Sequence, residues 1–327
     1  MAGDIRLLPR GRLLRSRLLL RGALLFAVAV VALACSQRVA PAEDGRIRVV
    51  TTIGMITDIV ARVGGEHVHV QGLMGPGVDP HLYKARAGDV RKVTEAQIIF
   101  YGGLHLEAAM GEVLEEMSSR TTSVAVTDSI PRFLLMRPTG YAGTWDPHVW
   151  FDVELWMYAV RAVERTLVAY DEVHAADYRR NAGVLLDELA ALDAWVHERV
   201  ATLPEERRVL VTAHDAFSYF GRAYGFRVIG LQGISTATEA GTRDVQRLAE
   251  EIAVLRIPAI FVETSIPRRT VEAVQAAVAA RGHDVAIGGE LFSDALGTAG
   301  TPEGTYIGMV KHNVSTIVHA LGGVAAE

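Results

Sequence analysis

Two runs of strand–helix alternation, one on each side of a long helical stretch, restrict this chain's fold more than any other feature. "RIRVVTTI" (46–53) is β-branched and apolar, and "GMITDIVARVGGE" follows it with helical spacing at Ile56, Ile59, Val60 and Val63 before stopping at Gly64-Gly65. "HVHVQGLM", "QIIFYGG" and "TSVAVTDSI" read as further strands, with helices over "KARAGDVRKVTEA" and "LEAAMGEVLEEMSS". After Pro204 the alternation restarts with "RRVLVTAH", "FRVIGLQGI", "AIFVETS" and "DVAIGGELF" as strands, each followed by a helical pattern. Alternation of this kind requires parallel sheets covered on both faces, because a parallel crossover returns over the sheet as a helix.

Between the two runs, Val153 to about Leu203 is almost wholly helical in pattern. Residues 174–203 hold no proline and one internal glycine, with apolar residues at Leu185, Leu189, Leu192, Trp195, Val196 and Val200. At about 1.5 Å per residue such a helix is roughly 45 Å long, more than one small lobe spans. The expected fold class is α/β: two lobes of parallel-sheet βα units joined by one long rigid helix. The division is 46–173 for the N-terminal lobe, 174–203 for the bridge and 204–327 for the C-terminal lobe.

The first 35 residues belong to neither lobe. Six arginines between Arg6 and Arg21 precede "GALLFAVAVVALA" (22–34), a length suited to a signal-peptide apolar region and short for a membrane span. It ends at Cys35, the one cysteine of the chain, so no internal disulfide can form. "ALAC" resembles a bacterial lipobox, with Ala32 where leucine is usual, and lipidation of Cys35 is expected. Residues 36–45 then form a flexible tether. This places the protein outside the cytoplasm, anchored by lipid, or periplasmic if the lipobox is unused. The net charge is −5, and outside the N-terminus no basic block appears, which excludes a nucleic-acid partner.

In open parallel sheets ligands gather beyond the carboxyl ends of the strands. Four polar residues fall there: His81 after the second strand, His148 after the fourth, His214 at the end of "VLVTAH", and Asp294 after "GELF". By chain order two come from each lobe. Three imidazoles and a carboxylate make a complete set for a borderline divalent metal. His81 and His148 share the motif Asp-Pro-His, at Asp79-Pro80-His81 and Asp146-Pro147-His148. Proline fixes its own φ near −65° and limits the freedom of the ligand behind it. Asp79 and Asp146 are expected as outer partners that orient or shield the rings. The other histidines read as structural: His67 and His69 on an edge strand, His174 and His197 on the long helix, His312 and His319 on the last helix, and His105 lining the cleft. Tyr83, Trp150, Phe217 and Tyr219 are expected as walls. No nucleotide-binding glycine fingerprint or phosphate loop opens any helix.

These segments resemble the zinc/manganese solute-binding proteins of bacterial ABC transporters, the TroA-like group. "VTTIGMITDIVARVGGE" is similar to the family's first βα unit. "VDPHLYKARAGDV", "YGGLHLE", "DPHVWFDV", "TAHDAFSYFGRAYGF", "GLQGISTATEA", "FVETS" and "ELFSDALG" follow in the family's order. The resemblance implies metal ligands at His81, His148, His214 and Asp294, and two lobes bridged by a long helix. It implies a receptor, not an enzyme, that carries a divalent transition metal to a membrane permease with a cytoplasmic ATPase. Zinc is favoured, with manganese or iron possible, and affinity is expected to fall below about pH 6.5, where imidazole protonates. A secreted zinc metallohydrolase, with Asp294 as base, and a surface adhesin are the alternatives.

Overall fold

The structure, a computed structural model, describes residues 45–138 and 144–324. The signal segment, Cys35 and most of the tether lie outside the described residues.

The first half is a four-stranded parallel sheet in the order β2-β1-β3-β4, made of β1 (Ile47–Thr51), β2 (Val68–Gly72), β3 (Ile98–Tyr101) and β4 (Thr122–Ala125). Helices α1 (Gly54–Gly64), α2 (Ala87–Glu95) and α3 (Gly111–Ser118) connect the strands. The central strands are buried, as a sheet covered on both faces requires. Valine and isoleucine fill them because branched side chains suit a pleated, enclosed surface.

The helical stretch divides at Asp171. Helix α4 spans Val153–Tyr170 and α5 spans Ala175–Val200. Asp171 leaves helical geometry, and its carboxylate accepts the Tyr178 hydroxyl at 2.7 Å and faces the His174 ring at 2.6 Å. An aspartate bonded to the turn ahead competes with helix continuation. The 26 residues of α5 give about 39 Å. Leu185, Leu189, Leu192, Val196 and Val200 face inward as their spacing predicts. The helix packs on α1 and α4 of the first half and on the last helix of the second, and so touches both.

The second half repeats the plan. Strand β5 (Val209–His214) pairs with β6 (Arg227–Gln232), β7 (Ala259–Glu263) pairs with β8 (Ala286–Leu291), all parallel, and β5 lies beside β7. Helices α6 (Ser218–Tyr224), α7 (Thr242–Leu255), α8 (Arg269–Ala279) and α9 (Tyr306–Ala320) complete it. At Gly289, where φ is +147°, a Cβ would stand 2.5 Å from the Thr316 methyl, so α9 lies against β8 at a distance that glycine permits. In both halves the chain reverses winding direction at a corresponding pair of strands, β1/β3 and β5/β7. The crevice beyond such a pair is where α/β sheets hold ligands.

Candidate metal centre

Both Asp-Pro-His motifs form the same turn. The Asp79 carboxylate accepts the His81 backbone N–H at 2.8 Å, and the Asp146 carboxylate accepts the His148 N–H at 2.9 Å. An aspartate bonding the amide two residues on folds the chain locally, and proline between them has no N–H to offer an alternative. The doubled motif is therefore a device for presenting a histidine from a short loop.

The structure brings together His81, His148, His214 and Asp294. One ligand atom from each lies within 4.8 Å of all the others, and all four residues are buried. His81 Nε2 and His148 Nε2 face each other at 3.3 Å. The Asp294 oxygens divide between two rings, Oδ1 at 3.5 Å from His148 Nε2 and Oδ2 at 3.4 Å from His214 Nε2. Ser265 donates to Oδ2 at 3.3 Å.

The outer contacts differ from ligand to ligand. Asp146 Oδ1 also meets His148 Nδ1 at 2.8 Å, the expected orienting role. For His214 that role belongs to Glu263, at the end of β7: its Oε2 lies 2.6 Å from Nδ1 and its Oε1 accepts the His214 N–H at 2.9 Å. Glu263 lies within the "FVETS" segment but was not among the expected site residues. Its only signal was a carboxylate at a strand end beside β5. Asp79, by contrast, bonds the His81 backbone and not its ring; its second oxygen takes the Thr236 hydroxyl at 2.5 Å.

These contacts set the charges. Burial draws His81 down, to about 3, with the neighbouring imidazoles adding to the effect against Asp294. Burial opposes protonation of His148 as well, but the hydrogen bond and charge of Asp146, then those of Asp294, lift it to about 9. His214 is raised because the charges of Glu263 and Asp294 outweigh burial. Asp294 resists burial and is held low by His214 and then His148. Buried anions and rings are thus matched, as burial of charge demands.

The cluster fits a divalent cation. His214 Nε2 and Asp294 Oδ1 are buried without a hydrogen bond of acceptable geometry. Buried polar atoms are ordinarily satisfied, and these two point where a metal would satisfy both. The donor set, neutral nitrogens and one carboxylate, suits zinc and its neighbours.

The remaining expected residues are placed as follows. His67 is 2.9 Å from Asp177 and stacks on His174 with centroids 3.9 Å apart, just ahead of the edge strand β2. His69 meets Gln71, His197 packs against Tyr224, and His312 bonds the Glu290 carbonyl. His105 lines a separate surface cavity with Glu107, Asp128 and Trp145. Trp150 forms a wall, its ring 5.2 Å from that of His148. Phe217 stacks on Phe151, Tyr83 bonds Asp89, and Tyr219 braces the Asp146 segment. Among the described residues no helix is long and apolar enough to cross a membrane.

Two parallel-sheet halves about a long helix, closing on three imidazoles and a carboxylate at their strand ends, define the class of metal-binding receptor proteins. The family model described as zinc-uptake complex component A, periplasmic (ZnuA), matches residues 49–320, and the chain belongs to that family. It is 54% identical over 280 residues to the zinc-binding protein TroA of Treponema pallidum, covering 86% of this chain and 90% of that one. It is 45% identical over 302 residues to the manganese-binding lipoprotein MntA of Bacillus subtilis, covering 92% and 98%. The solved periplasmic zinc-binding protein TroA of Treponema pallidum superposes with a TM-score of 0.83 over 85% of this chain and 99% of that chain.

Proposed function

We propose that the protein captures a divalent transition metal outside the cytoplasm and delivers it to the permease of an ABC transporter. Residues 46–173 and 204–327 act as the two lobes, and 174–203 as the bridge. The observation that carries this reading is the convergence of His81, His148, His214 and Asp294, with two of their ligand atoms buried and otherwise unpaired. Four protein ligands close a coordination sphere, whereas a hydrolytic zinc keeps a position open for water. The arrangement therefore suits holding and release, not turnover.

Zinc is the favoured cargo. Nitrogen-rich sites hold zinc more tightly than manganese at equal geometry. Asp294 turns one oxygen toward His148 and the other toward His214, and if both reached the ion five-coordination would bring manganese and iron(II) within range. The relatives named above divide in the same way, one called zinc-binding and the other manganese-binding. Lipid attachment at Cys35 would hold the receptor at the membrane beside its permease and ATPase.

The test is elemental analysis of stripped and reloaded protein, with zinc and manganese in competition. One equivalent of metal per chain, lost in the His214→Ala and Asp294→Ala variants, is the expected result. Wild-type protein that binds no metal ends the reading.

A further inference from the structure

The four clustered side chains are not held alike. His148 precedes the bridging helix in the chain, yet its segment is fastened to elements that follow the helix. The Tyr219 hydroxyl accepts the Met136 N–H at 3.0 Å and donates to the Asp146 carbonyl at 3.1 Å. Trp150 Nε1 donates to the Ser293 carbonyl at 3.0 Å, and the Tyr306 hydroxyl donates to the Trp150 carbonyl at 2.6 Å. Arg222 bonds the Leu134 carbonyl at 2.6 Å and the Asp152 carboxylate at 2.9 Å. His148, His214 and Asp294 therefore sit in one cradle, each at most 1% exposed.

His81 comes from the other body. It is 6% exposed, and Leu82 beside it is 53% exposed, so this ligand forms the solvent edge of the site. Among the described residues no carboxylate hydrogen-bonds its ring from behind, unlike those of His148 and His214. What joins its loop to the second half is Asp79. One oxygen accepts the His81 N–H, and the other accepts the hydroxyl of Thr236, in the loop after β6. Thr236 is itself buried. The loop also comes close to the second half at Gly77, where a Cβ would stand 3.4 Å from the Thr264 carbonyl oxygen.

We propose that the Asp79–Thr236 hydrogen bond is a latch that holds His81 on a preformed three-ligand cradle, and that its rupture is the step that opens the site. Resting on the metal-receptor reading, this deepens it by naming the ligand that moves and the contact that restrains it. Breaking the bond frees the His81 loop while the cradle keeps its own hydrogen bonds. A four-ligand site then becomes three ligands and a water, which exchanges metal faster. Thr236 is a positioning residue: it acts through Asp79 and touches no metal.

The test is the rate at which zinc-loaded full-length protein yields metal to an excess of chromophoric chelator. A hydrogen bond to a charged acceptor is strong enough to predict about a tenfold or larger rise in dissociation rate for Thr236→Val. Thr236→Ser, which keeps the hydroxyl, is expected near the wild-type rate. Loss of this one hydrogen bond should lower the metal-free melting temperature of Thr236→Val by a few degrees at most, and Thr236→Ser, which keeps the bond, separates the latch from a packing defect. Thr236→Ala, which removes the hydroxyl and leaves Asp79 free to keep its bond to the His81 N–H, provides a second disruption of the same bond. A wild-type dissociation rate in Thr236→Val and Thr236→Ala overturns the latch, as does equal acceleration in Thr236→Val and Thr236→Ser. Wild-type protein that takes up no zinc would instead overturn the receptor reading.

Discussion

Glu263 grips His214 at two points: its Oε2 lies 2.6 Å from Nδ1 while its Oε1 accepts the backbone N–H at 2.9 Å. Both side chains are fully buried, and they stand at the ends of the adjacent strands β5 and β7. Asp146 does the same for His148 from within a single turn. Two imidazoles thus have their ring orientation set before any metal arrives, Nδ1 bonded to the carboxylate and Nε2 facing the site, and such outer carboxylates raise the basicity of ligating histidine.

Replacement of Glu263 by glutamine keeps the volume and removes the charge. Zinc affinity should fall about 10–100-fold, the usual cost of losing such a partner. Isothermal titration of the Glu263→Gln variant measures this. An unchanged affinity would show that packing alone orients His214.

Protons compete with metal at this site. In metal-free protein His148 is lifted to about 9 by Asp146 and Asp294 against burial, and His214 is raised by Glu263 and Asp294. A ring lifted to about 9 holds its proton at neutral pH, and His214 is shifted in the same direction, so binding a cation there should expel protons and affinity should continue to rise toward pH 9. An isolated imidazole would level off above about 6.5; the carboxylates behind the rings shift the range upward. Stability of the metal-free protein runs the other way. A raised histidine stabilises fully below its unfolded value near 6.5 and loses that contribution as pH climbs through about 9. His81, drawn down to about 3 by burial, costs stability as pH drops from 6.5 toward 3. Metal-free protein should therefore melt highest near pH 6.5. Calorimetry in buffers of different ionisation enthalpy counts the released protons; zero release at pH 7 contradicts the charge assignment.

Much of this was legible in the sequence. Strand ends and the repeated Asp-Pro-His located all four clustered residues, because β-branched runs mark where strands stop and the stop is where a sheet presents side chains. Asp146 was legible for the same reason, being two residues from its ring. Glu263 and Thr236 were not. Their partners are 49 and 157 residues away, and only the pairing of the strands and the closing of the halves brings them near. The fastening of His148 to the second half was hidden too, since nothing in chain order says that the hydroxyls of Tyr219 and Tyr306 reach back across the bridge.

Leu189 lies at the middle of α5, fully buried in the core that runs through both halves. Leu189→Ala should destabilise the protein by about 2–5 kcal/mol, the range for a buried leucine whose neighbours cannot collapse into the cavity. Urea unfolding of metal-free protein measures the loss. A cost under about 1 kcal/mol would mean that the helix flexes to fill the space.

Cys35 precedes the described residues, and its role is tested in cells. Metabolic labelling with palmitate should mark the wild type and vanish in Cys35→Ser, which should appear in the soluble extracytoplasmic fraction. Unlabelled wild-type protein removes the lipid anchor and leaves a secreted receptor.

Removing His81 and removing His148 should not be equivalent. His148→Ala takes a ligand from the cradle and leaves the Asp146 carboxylate buried without its ring partner. An unpaired buried charge is costly, so this variant should lose both metal affinity and thermal stability. His81→Ala deletes a ligand at the solvent edge whose ring, among the described residues, has no carboxylate behind it. The three remaining ligands still define a zinc site, with water in the fourth position. Affinity should drop at least tenfold, by analogy with the loss of an outer partner, while the metal-free melting temperature holds. Cobalt(II) substitution reads the difference directly. The His81→Ala complex should keep a visible ligand-field spectrum altered by the added water, and the His148→Ala complex should lose most of its absorption. Equal losses of affinity and stability in the two variants would mean that all four ligands are held with the same rigidity, and that the cradle is no distinct unit.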